Sequence, residues 1–116
     1  MAESNRSAMP PAVPVEVSIM SEGGRWVFRS DDAVPFYVFD KDPKGRSSCE
    51  DACVATWKPV IARPDAKPLG DWTFAARKDG SRQWAYKGRP IYTYAADEPG
   101  KAKGEGVDGA WHELKP

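Results

Sequence analysis

Residues 35–42, Pro-Phe-Tyr-Val-Phe-Asp-Lys-Asp, return as residues 90–97, Pro-Ile-Tyr-Thr-Tyr-Ala-Ala-Asp. The proline, first tyrosine, second aromatic and last aspartate recur at one offset, 35 to 90, 37 to 92, 39 to 94 and 42 to 97, and Gly45 and Gly100 extend the match. Self-similarity at a fixed spacing marks a duplicated structural unit, and such units bury their apolar faces against one another. In each copy the two aromatics, Tyr37 and Phe39 or Tyr92 and Tyr94, lie two residues apart and so project from one face of a strand.

The flanking sequence supports the same reading. From Val13 apolar residues alternate, with Val13, Val15, Val17 and Ile19 on one side of a half-buried strand. Ser21-Glu22-Gly23-Gly24 supplies a turn, and Trp26 and Phe28 alternate in a second strand that leads to the first motif copy. In the second half Trp72 and Phe74 form a strand, Lys78-Asp79-Gly80-Ser81 a tight turn, and Trp84 and Tyr86 the next strand. Trp26-x-Phe28 thus matches Trp84-x-Tyr86, and Trp57 matches Trp111 downstream of the motif. The expected fold is all-β. A pseudo-symmetric duplication of an antiparallel unit of about 55 residues, with three or four strands, forms one sheet sandwich or barrel around a shared core. At most one short helix is expected, near residues 48–57. Residues 1–12 read as a disordered lead-in and 13–116 as a single domain, with unit one at 13–60, a linker at 61–70 and unit two at 71–116.

Composition narrows the function classes. Seventeen Lys and Arg balance seventeen Asp and Glu, so no net field steers the protein to nucleic acid. No apolar run reaches the roughly 20 residues that a membrane span needs. The first residues lack the apolar stretch of a secretory signal, so the chain reads either as cytosolic or as a mature segment separated from its export signal. Cys49 and Cys53, with three residues between them, fit a disulfide, a redox couple or half a metal site.

Tyr37-x-Phe39-x-x-Asp42, then Cys49-x-x-x-Cys53-x-x-x-Trp57-x-Pro59, then Asp79-Gly80 through Gln83-Trp84-x-Tyr86-x-Gly88-x-Pro90-x-Tyr92-x-Tyr94-x-x-Asp97 and Trp111-His112 stand in fixed order. In these features residues 24–116 resemble a bacterial family of secreted repeats and predicted lipoproteins known by its Tyr-x-aromatic-x-x-Asp motif. The resemblance implies export to the periplasm or cell exterior, often a lipid anchor, and tandem units, but no reaction. The lipidated cysteine of that family is absent from this chain, so any membrane association would be through an anchor that it does not carry. Export makes an oxidised Cys49–Cys53 pair reasonable. Glu50 and Asp51 between the cysteines disfavour a thiolate and argue against redox chemistry.

Six residues are candidate ligand contacts: Tyr37, Phe39 and Asp42 with Tyr92, Tyr94 and Asp97. Paired hydroxyls and carboxylates would suit a polar or cationic ligand, or a sugar stacked on a ring. The alternative role for them is structural, with rings in the core and aspartates capping turns. Metal binding has weak candidates in Asp40, Asp42 and His112. Residues 40–45 imitate the start of a calcium loop, but Lys44 occupies a ligand position and Asp51 stands where the bidentate Glu belongs. His112, the one histidine, could ligate haem but is too few for zinc or copper. No catalytic motif is present, and no cofactor is expected. The sequence points to an exported, non-catalytic module whose partner is an extracytoplasmic ligand or protein. A haem, metal or redox accessory protein using His112 or the Cys49/Cys53 pair is the first rival. A small carbohydrate-binding domain, marked by exposed Trp57, Trp72 or Trp111 near Asp42 or Asp97, is the second.

Overall fold

The computed structural model describes residues 12–30, 32–98 and 101–115. The expected lead-in lies outside these residues but for Ala12, as does Gly100 of the repeat. Strands dominate: β1 (Ser18–Glu22), β2 (Arg25–Arg29), β3 (Tyr37–Phe39), β4 (Trp57–Pro59), β5 (Trp72–Ala76), β6 (Arg82–Tyr86), β7 (Arg89–Pro90), β8 (Tyr92–Tyr94) and β9 (Trp111–Glu113). One helical turn, Cys53–Thr56, sits within the stretch where a short helix was expected. The strands form three sheets, β1-β2, β4-β8-β3-β9 and β5-β6-β7, and every strand pairing among the described residues is antiparallel.

The central four-stranded sheet interleaves the two units. Tyr37 faces Tyr92 across the β3–β8 pair. Outside that pair, β9 of the second unit lies beside β3 of the first, and β4 of the first beside β8 of the second. The pairings correspond: Trp57 faces Tyr94 as Trp111 faces Phe39, and Val60 N–H donates to Ile91 C=O as Leu114 N–H donates to Phe36 C=O. Each motif strand therefore finds its outer neighbour in the other unit.

Period-two alternation in the motif strands sends side chains to two cores, where a single shared one was expected. Phe36, Val38, Ile91 and Leu114 join Val17, Phe28, Trp72 and Trp84 in one cluster. Tyr37, Tyr92, Trp57 and Trp111 join Cys49 and Ala110 in the other. A sheet buried on both faces has apolar side chains in both directions, which explains the nearly continuous apolar reading of residues 34–39.

Two details of the flanking strands differ from the sequence reading. The alternation from Val13 breaks at Val15, which is 67% exposed while Val17 is buried. Pro14 cannot donate to a ladder, and its carbonyl accepts from Val17 N–H in a turn that rolls Val15 outward, so β1 begins only at Ser18. The register of the duplication also differs. Arg29 bridges Pro35 as Ala85 pairs with Pro90, so Phe28 corresponds to Trp84, and Trp26 does not. Both hairpins form at the expected glycines. Gly23 and Gly24 have φ of +58° and +78°, the paired left-handed geometry of a tight two-residue turn.

Candidate functional site

The site is built on the β3–β8 pair, where the two motif copies cross. Tyr37 and Tyr92 are fully buried. The Tyr37 hydroxyl donates to Asp97 Oδ2 at 2.6 Å, and the Tyr92 hydroxyl donates to Asp42 Oδ2 at 2.6 Å. Each tyrosine thus bonds the aspartate of the other copy. The second carboxylate oxygens cap the following loops: Asp42 Oδ1 accepts from Ser48 N–H and Oγ–H, and Asp97 Oδ1 accepts from Lys103 N–H. Burial, and then the neighbouring carboxylate, push both tyrosine hydroxyls well above the usual phenolic range.

Around each hydroxyl the second contact differs between units. Gly104 N–H donates to the Tyr37 oxygen at 3.0 Å. A side chain there could not be accommodated, because its Cβ would stand 2.7 Å from the Trp57 ring. On the other side Ser47 Oγ meets the Tyr92 hydroxyl at 2.6 Å. Ser47 in turn accepts from Arg77 Nη1 at 3.0 Å. Arg77 is buried and also donates to Gln83 Oε1, the Cys49 carbonyl and Glu50 Oε1. Cys49 and Cys53 form a disulfide beside this network.

The second aromatics of the motif complete a column of rings. Phe39 stacks on Trp111 at 4.3 Å between centroids, Trp111 on Trp57 at 3.8 Å with planes 1° apart, and Trp57 on Tyr94 at 4.4 Å. Tyr37 and Tyr92 meet Trp57 and Trp111 edge to face at 5.3 and 5.0 Å. Aromatic pairs in such geometries contribute roughly 0.5–1.5 kcal/mol each beyond their buried area. All four stacked rings line one groove of about 380 Å³, with Lys41, Cys53, Val107 and Asp108 at its walls.

Of the six expected ligand contacts, the structure therefore brings Phe39 and Tyr94 to a groove. It commits the hydroxyls and carboxylates of Tyr37, Tyr92, Asp42 and Asp97 to bonds between the units. Trp57, Trp72 and Trp111 are 4%, 2% and 3% exposed, so none offers the open face expected of a sugar platform. Of the metal candidates, Asp40 and His112 meet, while Asp42 is engaged by Tyr92 and Ser48. His112 Nε2 lies 2.8 Å from Asp40 Oδ2, and its Nδ1 lies 3.0 Å from Glu105 Oε2. Both ring nitrogens are thus held by carboxylates, and Glu105 first and Asp40 second raise the imidazole above its ordinary pKa. Among the described residues no cluster of three or more His, Cys, Asp or Glu has the arrangement of a metal site.

Sequence reasoning missed Ser47, Arg77, Gln83, Gly104 and Glu105. Ser47 and Gly104 sit at the loop positions after each aspartate, where the repeat itself hinted at partners. Arg77, just after β5, gave no sequence signal, and Gln83, within β6, stood among the fixed points of the resemblance without its partner being legible.

Residues 73–115 match the model of a family described as a secreted repeat of unknown function. The matched segment runs from β5 through β9, the second unit of the chain. It is narrower than the resemblance drawn from residues 24–116, and it contains Tyr92, Tyr94, Asp97 and Trp111. Searches of the curated proteins and of the solved structures find no match.

Proposed function

We propose that this chain is an exported module that binds a small apolar or aromatic ligand in the groove along the ring column and performs no reaction of its own. The observation that carries this reading is the convergence of Phe39, Trp57, Tyr94 and Trp111, two rings from each unit, on one groove. Its volume of about 380 Å³ falls in the range of small-molecule sites. Phe39 and Tyr94, at the ends of the column, supply most of the ring surface open to the groove, since Trp57 and Trp111 are almost wholly buried between them, and Lys41 and Asp108 supply one charge of each sign to orient a polar substituent. The match of the second unit to a secreted repeat supports export, and the Cys49–Cys53 disulfide suits an oxidising compartment such as the periplasm or cell exterior.

The test is a ligand-observed NMR screen of an aromatic fragment library against the oxidised protein and against Val107→Trp, which fills the groove from its wall. Fragments that bind the parent with dissociation constants of about 1 mM or better, and lose binding in a variant of unchanged thermal stability, bear the proposal out. Binding that survives in the variant, or no binder at all, refutes it. Fractionation of the producing cells tests export separately.

A further inference from the structure

A second groove, of about 430 Å³, lies between β2 and the chain at the end of β9, and it shares no lining residue with the ring groove. The duplication shows why it is open. With Phe28 equivalent to Trp84 and Leu114 to Val60, the second unit closes the matching seam. There Trp84 N–H donates to Val60 C=O and Ala62 N–H to Arg82 C=O, both at 2.8 Å, and Ile61 bridges Gln83. Among the described residues the first unit makes neither the corresponding Phe28–Leu114 bond nor a Val27–Lys115 bridge. In the sequence the counterpart of Ala62 is Pro116, which has no N–H to give.

The residues that line the open seam are not those of its closed counterpart. Trp26, half-buried, stands where the second unit has Arg82, and neither Trp26 nor Val27 belongs to either core cluster. With the buried Leu114 they give the groove an apolar surface. Arg25 and Lys115, both exposed, bring two cations where the second unit has Ser81 and Ile61. Among the described residues no carboxylate forms an ion pair with either. Glu22, opposite Arg25 in the β1–β2 register, gives its carboxylate to Arg29 Nη2 at 2.9 Å, and Lys115 acts on Glu105 only from beyond contact. The one acid of the lining, Glu113, is answered by Arg29 Nη1 at 3.4 Å.

We propose that this groove binds a small aromatic carboxylate. The ring lies against Trp26 and Val27, and the carboxylate meets Arg25 and Lys115. An apolar surface with a few charged groups at its edge is the make-up of a small-molecule site, and the volume falls in that range. The charge selects an anion, because two cations without ion pairs face one carboxylate that Arg29 already holds. The ring groove differs in bringing one charge of each sign, from Lys41 and Asp108, and neither site depends on the other.

The probe is 3-phenylpropionate, titrated into ¹⁵N-labelled protein while the five tryptophan indole N–H resonances are followed. The Trp26 resonance, assigned by its loss in Trp26→Phe or, should that variant not fold, from backbone-linked spectra, moves saturably with a dissociation constant at or below about 5 mM. The amide of the same acid keeps the shape without the charge and binds about five-fold more weakly, the size expected of two exposed charge contacts. The double variant Arg25→Gln/Lys115→Gln, with its melting temperature unchanged, loses that preference, and Val107→Trp, which fills the ring groove, keeps it. A Trp26 resonance that does not move, equal binding of acid and amide, a preference that survives the loss of both cations, or a Trp26 response abolished by Val107→Trp overturns the proposal.

Discussion

Replacing Tyr37 by Phe tests the crossed pairing of the two units. The ring and its packing stay, so no cavity opens, and only the hydroxyl is lost. That hydroxyl donates to the Asp97 carboxylate and accepts from the buried Gly104 N–H. A hydrogen bond to a charged partner contributes roughly 1.5–3 kcal/mol, and a buried donor stripped of its acceptor costs roughly 1–3 kcal/mol. Partial relaxation of the half-exposed Asp97 toward water offsets some of this, so a loss of about 3 kcal/mol is expected, or about 12 °C in Tm for a domain of this size. The informative measurement is a pair of double-mutant cycles by guanidinium denaturation. Tyr37→Phe with Asp97→Ala should couple by about 1–2 kcal/mol, whereas Tyr37→Phe with Asp42→Ala, its own motif partner in sequence, should be additive within about 0.5 kcal/mol. Strong coupling to Asp42, or none to Asp97, would refute the interleaved arrangement.

Three further outcomes follow from the same geometry. Arg77→Met should destabilise by about 3–5 kcal/mol in chemical denaturation, because it leaves Glu50 and the buried Ser47, Gln83 and Cys49 acceptors without their shared donor. The His112 imidazole should titrate above its ordinary 6.5 by NMR, with Glu105→Gln lowering it more than Asp40→Asn. Because the folded-state value is raised, its stabilisation is complete below the unfolded value and is lost as pH rises through the folded one, so His112→Gln should flatten stability across that interval. Tyr37 and Tyr92 are also raised, so their contribution is complete below the unfolded tyrosine value of about 10 and is lost as pH climbs through the higher folded values. Unfolding followed above that pH should steepen in the parent and flatten in the double Phe variant.

The β class, both hairpins and the equivalence of the motif copies were legible because each rests on a local signal. Alternating aromatics, Gly23-Gly24 and Asp79-Gly80 fix strand and turn chemistry within a few residues. The crossing of the hydroxyls was not legible. An offset shows which residues are equivalent, but Tyr37 could have met Asp42 or Asp97 with the same repeat. The same holds for the ring column, since Trp57 and Trp111 were visible as counterparts and their mutual stacking was not. The outward turn of Val15 was hidden because periodicity ignores the N–H that Pro14 lacks. The Arg77 network joins the loop at residues 47–50 to the β5–β6 hairpin, and no spacing rule connects Glu50 with Arg77 and Gln83.

The strand order β4-β8-β3-β9 also sets a timetable for folding. Residues 37–39 and 57–59 are synthesised early, yet neither strand has a neighbour in the central sheet until residues 92–94 arrive, and the sheet is complete only with 111–113. Such non-local pairing delays closure until residues 111–113 are available. A nascent chain that cannot lock its central sheet leaves the apolar faces of both motif strands uncovered until β9 is made.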